Sequence, residues 1–291
     1  DPRRGVRPMT QAGGVPKPDD VVRLFGRRGA LIGMLHLRPL PGAPRYRAED
    51  GMNAVLEQAL SEARMLEDAG FDGVIIENGW DIPFVKPDQI GPETVAALTA
   101  ACVEIRAQVE VPIGITCVAN GVVPALAVAK AVGARWVRAN QWANAYVANE
   151  GFLNGPAPAA LRYRRAVDAT DVRIFADVHV KFGAHAITAD RGIPEQARDA
   201  EWFDADVLIA SGTRTGSPTE PEEVTAVSSG TTLPVLVGSG LDPDQVPTLF
   251  AVADGAIVGQ WLKRDGRWWN PVDPQRVELL MKAVDIARSA R

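Results

Sequence analysis

Three ionisable side chains alternate with apolar ones across residues 174–183, I-F-A-D-V-H-V-K-F-G. A β-strand sends successive side chains to opposite faces. Ile174, Ala176, Val178 and Val180 would then line a dry face, and Phe175, Asp177, His179 and Lys181 the other. A carboxylate, an imidazole and an amine in a row are costly to bury without partners, which makes this strand the first candidate for chemistry. A desolvated Lys181 suits Schiff-base formation or neutralisation of substrate charge. Asp177 suits acid–base work, or an ion pair with Arg138 or Lys181. Glu77 is a second candidate acid–base carboxylate, and His36 a proton carrier or ligand contact. Arg138, Asn140, Asn120, Ser211, Thr213 and His179 are candidates for orienting a substrate.

The elements that would position these residues follow a regular alternation. Short apolar runs at residues 30–37, 73–77, 112–117, 136–140, 174–183, 206–210, 234–238 and 255–259 read as strands. Helical spacing follows them at 49–69, 92–109, 124–132, 159–169, 194–203, from about 220, 244–251 and 274–290. Eight strand–helix units with no long linker predict a single (β/α)8 TIM barrel over residues 21–291, preceded by a short flexible N-terminal arm over residues 1–20. No G-x-G-x-x-G follows the first strand, which counts against an open dinucleotide-binding sheet. In a barrel the reactive groups gather at the C-terminal ends of the strands, and the polar residues named above fall there. On the fourth strand, Val137 and Ala139 facing the helices would turn Arg138 and Asn140 inward. On the second, Ile76 outward leaves Glu77 inward. The connection at 141–158 is long for a barrel and reads as a lid or a subunit contact.

Composition narrows the partners. A net charge of −5 with acids and bases mixed along the 291 residues offers no basic face for nucleic acid. No apolar run reaches the length of a membrane span, and the arginine-containing start lacks the apolar core of a secretory signal. Cys102 and Cys117 fit no metal spacing and read as small core residues of a reduced, cytoplasmic protein. Glu77, Asp177 and His179 would offer a divalent metal mixed oxygen and nitrogen donors. No H-x-H or H-E-x-x-H pattern supports that, so no cofactor and no metal ligand is expected. Homo-oligomer formation is expected through the long connection or through Trp268 and Trp269.

A more specific signal lies near the end of the chain. L-V-G-S-G-L-D-P at 236–243 and D-G-A-I-V-G-Q-W-L-K at 254–263 place glycines in the loops after the seventh and eighth strands. Backbone N–H groups of those loops form the phosphate site of many barrels. Gly238, Ser239, Gly240, Gly259 and Gln260 are therefore the candidate phosphate-binding residues. The pattern resembles that of phosphate-binding barrels such as the tryptophan synthase α subunit and histidine-biosynthesis isomerases. Gln260 and Trp261 depart from it, since those barrels have small residues there; Trp261 would narrow the site or stack on a base or sugar.

Several stretches together resemble the BtpA/SgcQ family: G-M-L-H-L-R-P-L-P-G-A-P-R-Y at 33–46, D-G-V-I-I-E-N-G-W-D at 72–81, F-A-D-V-H-V-K at 175–181, S-G-T-R-T-G at 211–216, V-G-S-G-L at 237–241 and A-I-V-G-Q-W-L-K at 256–263. The resemblance implies a TIM barrel over residues 30–290 and supplies no settled reaction. The family takes its name from a protein associated with photosystem I, while other members stand in sugar-utilisation or natural-product contexts. The residues point to an enzyme acting on a small phosphorylated sugar or nucleotide-like substrate, by lyase, isomerase or glycosyl-bond chemistry. The alternative is a non-catalytic assembly or binding factor of the BtpA type.

Overall fold

A computed structural model describes residues 17–212 and 219–290. The expected arm lies, up to residue 16, outside the described residues, and so does Thr213. A short helix, α1 (Asp20–Phe25), comes first, capped at its start by the Asp19 side chain. Next follow β1 (Ala30–His36), α2 (Gly51–Asp68), β2 (Gly73–Glu77), α3 (Pro92–Arg106), β3 (Ile113–Thr116), α4 (Val122–Val132) and β4 (Trp136–Ala139). A hairpin interrupts the alternation: β5 (Ala145–Ala148) pairs antiparallel with β6 (Gly151–Asn154). The chain resumes with α5 (Ala157–Ala166), β7 (Arg173–Val178), α6 (Ile193–Trp202), β8 (Val207–Ala210), α7 (Pro221–Ser229), β9 (Val235–Val237), α8 (Val246–Val252), β10 (Gly255–Val258) and α9 (Pro274–Ser289).

The eight-stranded sheet closes on itself in the order β1-β10-β9-β8-β7-β4-β3-β2. Every neighbouring pair is parallel, so the chain is a (β/α)8 barrel, as its alternation of strands and helices requires. Strand parity divides the apolar residues into two cores. Outward residues such as Ile76, Val137, Ala139, Ile174 and Ala176 pack against the helices. Inward residues such as Ile32, Ile75, Trp136, Phe175, Ile209, Leu236 and Ile257 fill the barrel.

The lower interior is organised by one large ring. Trp136 is fully buried and stacks on Phe175 with ring centroids 5.4 Å apart. Phe25 of α1 meets it edge-on at 5.2 Å, so α1 caps the end where the strands begin. The next strand makes room for the indole: a Cβ on Gly114 would overlap the Trp136 ring atoms, and one on Gly73 would meet Phe25 and Trp136. The same end carries a repeated polar device. Asp72, Asp206 and Asp254 each precede a strand and accept the N–H of a residue at the start of the neighbouring one: Leu31 at 2.7 Å, Ile174 at 2.8 Å and Val235 at 2.9 Å. These bonds satisfy backbone donors before the sheet ladder takes over.

Among the described residues no helix is long and apolar enough to cross a membrane. The packing yields a first test. Gly114→Ala should destabilise by about 1–3 kcal/mol, the usual cost of overfilling a packed core, read as a lower midpoint in chemical denaturation. Adding Trp136→Phe should recover part of the loss; a single variant with an unchanged midpoint would refute this account of the barrel interior.

Candidate functional site

At the opposite end the inward residues turn polar. His36 ends β1, Glu77 ends β2, Arg138 lies on β4 and Asp177 on β7. His36 and Glu77 are register partners, with His36 Nε2 3.9 Å from Glu77 Oε1. Arg138 and Asp177 form a bidentate pair: Nε donates to Oδ2 at 2.9 Å and a terminal nitrogen donates to Oδ1 at 2.8 Å. Their side chains are 5% and 0% exposed. Both Asp177 oxygens are thus engaged by a guanidinium, which is the ion-pair alternative raised by the sequence.

Above this floor opens a cavity of about 610 Å³, within the ~300–1,000 Å³ typical of small-molecule sites. His36, Glu77, Arg138, Asn140, Lys181, Gly238, Ser239, Gly240, Gly259 and Gln260 all line it. Burial sets the charges on the floor. It raises the Glu77 carboxyl above its ordinary range, an effect that Arg138 and Lys181 offset only in part. It also depresses the Lys181 amine to about 8; Arg138 pushes the same way, against the pull of Asp177 and Glu77. His36 is held well below 6.5 by burial and by the cations Lys263, Lys181 and Arg138, so at neutral pH it is an uncharged imidazole. Its Nδ1 is buried with no hydrogen-bond partner among the described residues. A protonatable amine, a carboxyl whose affinity for its proton is raised and a neutral imidazole are components of proton transfer at a carbonyl or an anomeric carbon.

Three expected site residues are placed elsewhere. The regular strand ends at Val178, and His179 takes a left-handed backbone with φ 55°, so it leaves the row it would share with Asp177 and Lys181. Its ring stacks on His185 with centroids 3.9 Å apart, and Gln196 lies 3.4 Å from its Nδ1. Asn120 does not line the cavity: its side-chain amide accepts the Gln141 N–H and donates to the Gln141 carbonyl, both at 3.0 Å. It braces the start of the hairpin connection. Ser211 is fully buried, and its hydroxyl accepts the Lys181 N–H at 3.3 Å. It therefore fixes the lysine backbone from below.

The glycines of the last two loops bring the backbone close to the floor. A Cβ on Gly259 would lie 2.8 Å from His36 Cε1, and one on Gly238 would lie 3.2 Å from an Arg138 terminal nitrogen. The Gly238 N–H is already donated to the Ala210 carbonyl at 2.7 Å. The loop after β10 carries more than glycine. Arg276, in the first turn of α9, lines the cavity with its guanidinium 4.2 Å over the Trp261 ring. Trp268 also lines it. Sequence reading missed Arg276, although the first turn of each helix in such a barrel lies at the end where the strands finish.

The long connection after β4 is the hairpin β5–β6, which places Tyr146, Ala148, Asn149 and Glu150 on the cavity wall. Tyr146 and Leu153 pack on Ala119 and Val180 in a small core of their own. Backbone hydrogen bonds between Val147 and Ala184 fasten the hairpin to the loop after β7. The two loops after β1 and β2 brace one another: Asp81 accepts the Leu40 N–H at 2.8 Å and an amide hydrogen of Asn78 at 3.0 Å. This explains why R-P-L-P-G and N-G-W-D occur together. Among the described residues no three His, Cys, Asp or Glu side chains gather into a metal-binding group.

A family model described as BtpA family matches residues 27–286. An uncharacterized protein of Archaeoglobus fulgidus is 38% identical over 253 residues, covering 87% of this chain and 97% of the relative. The photosystem I biogenesis protein BtpA of Synechocystis is 36% identical over 278 residues, covering 91% of each chain. Among solved structures, a tryptophan synthase of Mycobacterium tuberculosis superposes with a TM-score of 0.60 at 17% identity, covering 92% of this chain and 99% of that one. At that identity the likeness is one of fold.

The ion pair on the floor gives a second test. Arg138→Met would strand a buried carboxylate and should cost about 3–5 kcal/mol, measured by chemical denaturation. A double variant, Arg138→Met with Asp177→Leu, should regain most of that loss; no recovery would mean the pair is not what holds this part of the barrel.

Proposed function

The chain belongs to the BtpA family, and from that premise we propose that it is a barrel enzyme acting on a small phosphorylated sugar or nucleotide-like substrate. The observation that carries this reading is the pairing of a depressed amine with a raised carboxyl on the floor of one cavity: Lys181, at about 8, and Glu77. Phosphate would be held by the backbone N–H groups of Ser239, Gly240 and Gly259 and the Ser239 hydroxyl, with Gly238 allowing close approach, and Arg276 on the same cavity wall supplies a cation for it. Cytoplasmic placement and a homo-oligomeric state remain part of this proposal.

The chemistry that fits best begins at a carbonyl or ring-opened anomeric carbon. The Lys181 amine adds to that carbon; the resulting carbinolamine loses water as the Glu77 carboxyl protonates the departing hydroxyl. The iminium so formed withdraws electrons from the neighbouring bond. Glu77, now a carboxylate, or the neutral His36 can take a proton from the adjacent carbon or hydroxyl, which leads to isomerisation or to lyase cleavage. The enamine so formed takes the proton back on carbon from Glu77 or His36, and water hydrolyses the restored iminium, returning the carbonyl and the amine. Asp177 takes no proton in this scheme, since Arg138 holds both of its oxygens; it positions the guanidinium.

A second reading, a binding or assembly factor, is favoured by one observation. Val147 and Phe152, paired across the hairpin, are each 44% exposed, and Phe182 nearby in sequence to the hairpin's anchor is 48% exposed. A protein acting only through that surface would work unchanged with Lys181→Met.

Two measurements follow. With carbonyl sugar phosphates, borohydride should trap a covalent adduct on Lys181, absent from Lys181→Met. The rate should fall as pH drops through about 8, because the amine is then protonated and cannot add; an adduct that survives in Lys181→Met sinks the Schiff-base role. In thermal-shift screens, phosphosugars or nucleoside monophosphates should raise the melting temperature, and Ser239→Asp should abolish the rise by putting a negative charge in the cradle. No shift with any phosphorylated compound would remove the phosphate claim.

A further inference from the structure

Trp268 stands on the cavity wall in a way that packing alone does not require. Trp80, in the loop after β2, lies behind it with ring centroids 4.7 Å apart and planes 30° apart, and Trp80 is not among the residues lining the cavity. Trp268 is thus backed on one side by an indole, while part of its surface borders the cavity. Its ring meets His36 edge-on, with centroids 6.0 Å apart, and Trp269 at 6.4 Å, so the part of it that borders the cavity lies beside the His36 end of the floor.

The loop that carries Trp268 is fastened in place. Arg264 N–H donates to the Pro271 carbonyl at 2.9 Å and Asn270 N–H to the Arg267 carbonyl at 2.8 Å. The side chains of Gln260 and Asn270 donate to the Gly266 and Arg264 carbonyls, each at 2.9 Å. A ring held this way loses little freedom when a ligand stacks on it. The other tryptophan on the wall differs: the Trp261 ring already carries the Arg276 guanidinium at 4.2 Å, and Arg276 donates to the Trp261 carbonyl. That arrangement assigns Trp261 to holding the arginine, and leaves Trp268 as the stacking surface. The cavity volume of about 610 Å³ suits a ligand of drug-like size, larger than a bare triose or pentose phosphate. Above the polar floor its walls are largely apolar, with Phe84, Val180 and Leu241 among them.

We infer that the substrate carries a flat heteroaromatic ring of the nucleobase class, stacked on Trp268, with its phosphate at residues 238–240. The ring assignment rests on the proposed function only for the position of the phosphate. Base-on-aromatic stacking is typically worth a factor of roughly 5 to 140 in affinity.

The test is calorimetric titration with four ligand types: nucleoside 5′-monophosphates of the four common bases, the matching nucleosides, ribose 5-phosphate and inorganic phosphate. At least one nucleotide should bind the wild-type protein more tightly than ribose 5-phosphate by that factor. Trp268→Ala should erase the difference while leaving ribose 5-phosphate within about twofold, and Trp268→Phe should restore most of it. Equal affinity for nucleotides and ribose 5-phosphate in the wild type overturns the inference. So does a loss in Trp268→Ala that is the same for both, or no nucleotide binding at all. A nucleoside that binds as tightly as its monophosphate, and still depends on Trp268, supports the ring assignment while removing the phosphate reading.

Discussion

The upper half of this barrel takes its electrostatic character from the bond between Arg138 and Asp177. A guanidinium and a carboxylate buried together cost solvation, which their geometry must offset; here two parallel hydrogen bonds of 2.8–2.9 Å do so. The pair leaves a fixed, nearly neutral plate inside the strands, but its two charges are not felt equally by their neighbours. Arg138 depresses Lys181 and partly counters the rise of Glu77, whereas Asp177 acts in the opposite sense on both. Burial decides the outcome in each case. An amine and a carboxyl that would both be charged in water are thereby brought towards their neutral forms in the same small volume.

The alternation of apolar runs and helical spacing made the barrel legible from composition and period alone, because each strand must hide one face against helices. Parity was equally legible on β2 and β4, where Ile76, Val137 and Ala139 face outward and Glu77 and Arg138 inward. It failed at His179, since period-two reasoning assumes that the strand continues, and a left-handed residue stops it. The hairpin β5–β6 read as a plain loop: its four-residue strands stand outside the barrel sheet, pairing with each other and bridging once to Ala184, and they share a core of a few residues. Asn120, expected to orient a substrate, is found bonded to backbone instead, for another reason. A polar residue past a strand end can satisfy backbone groups as readily as a ligand, and only the Gln141 amide tells the two apart. Arg276 was invisible because its nearness to the cavity depends on where α9 packs, more than ninety residues after β7 in the chain.

A second buried ion pair ties the far loop to the scaffold. Lys263, 1% exposed, donates to Glu62 of α2 at 2.7 Å, and the other Glu62 oxygen accepts the Val272 N–H at 3.0 Å. The segment between these two anchor points carries Arg264 to Pro271, including Trp268. Its position is set by a helix that precedes it by some two hundred residues. The same lysine also contributes to keeping His36 uncharged, so loop placement and floor chemistry share one cation.

The plug formed by Phe25, Trp136 and Phe175 makes the barrel a blind well. With its lower end closed by stacked rings, the cavity above Lys181 and Glu77 opens at the end of the barrel that carries the hairpin and the Trp268 loop. A ligand that descends into such a well leaves by the end at which it entered. Were a molecule to be split at the floor, its inner fragment would have to leave past the place of the outer one.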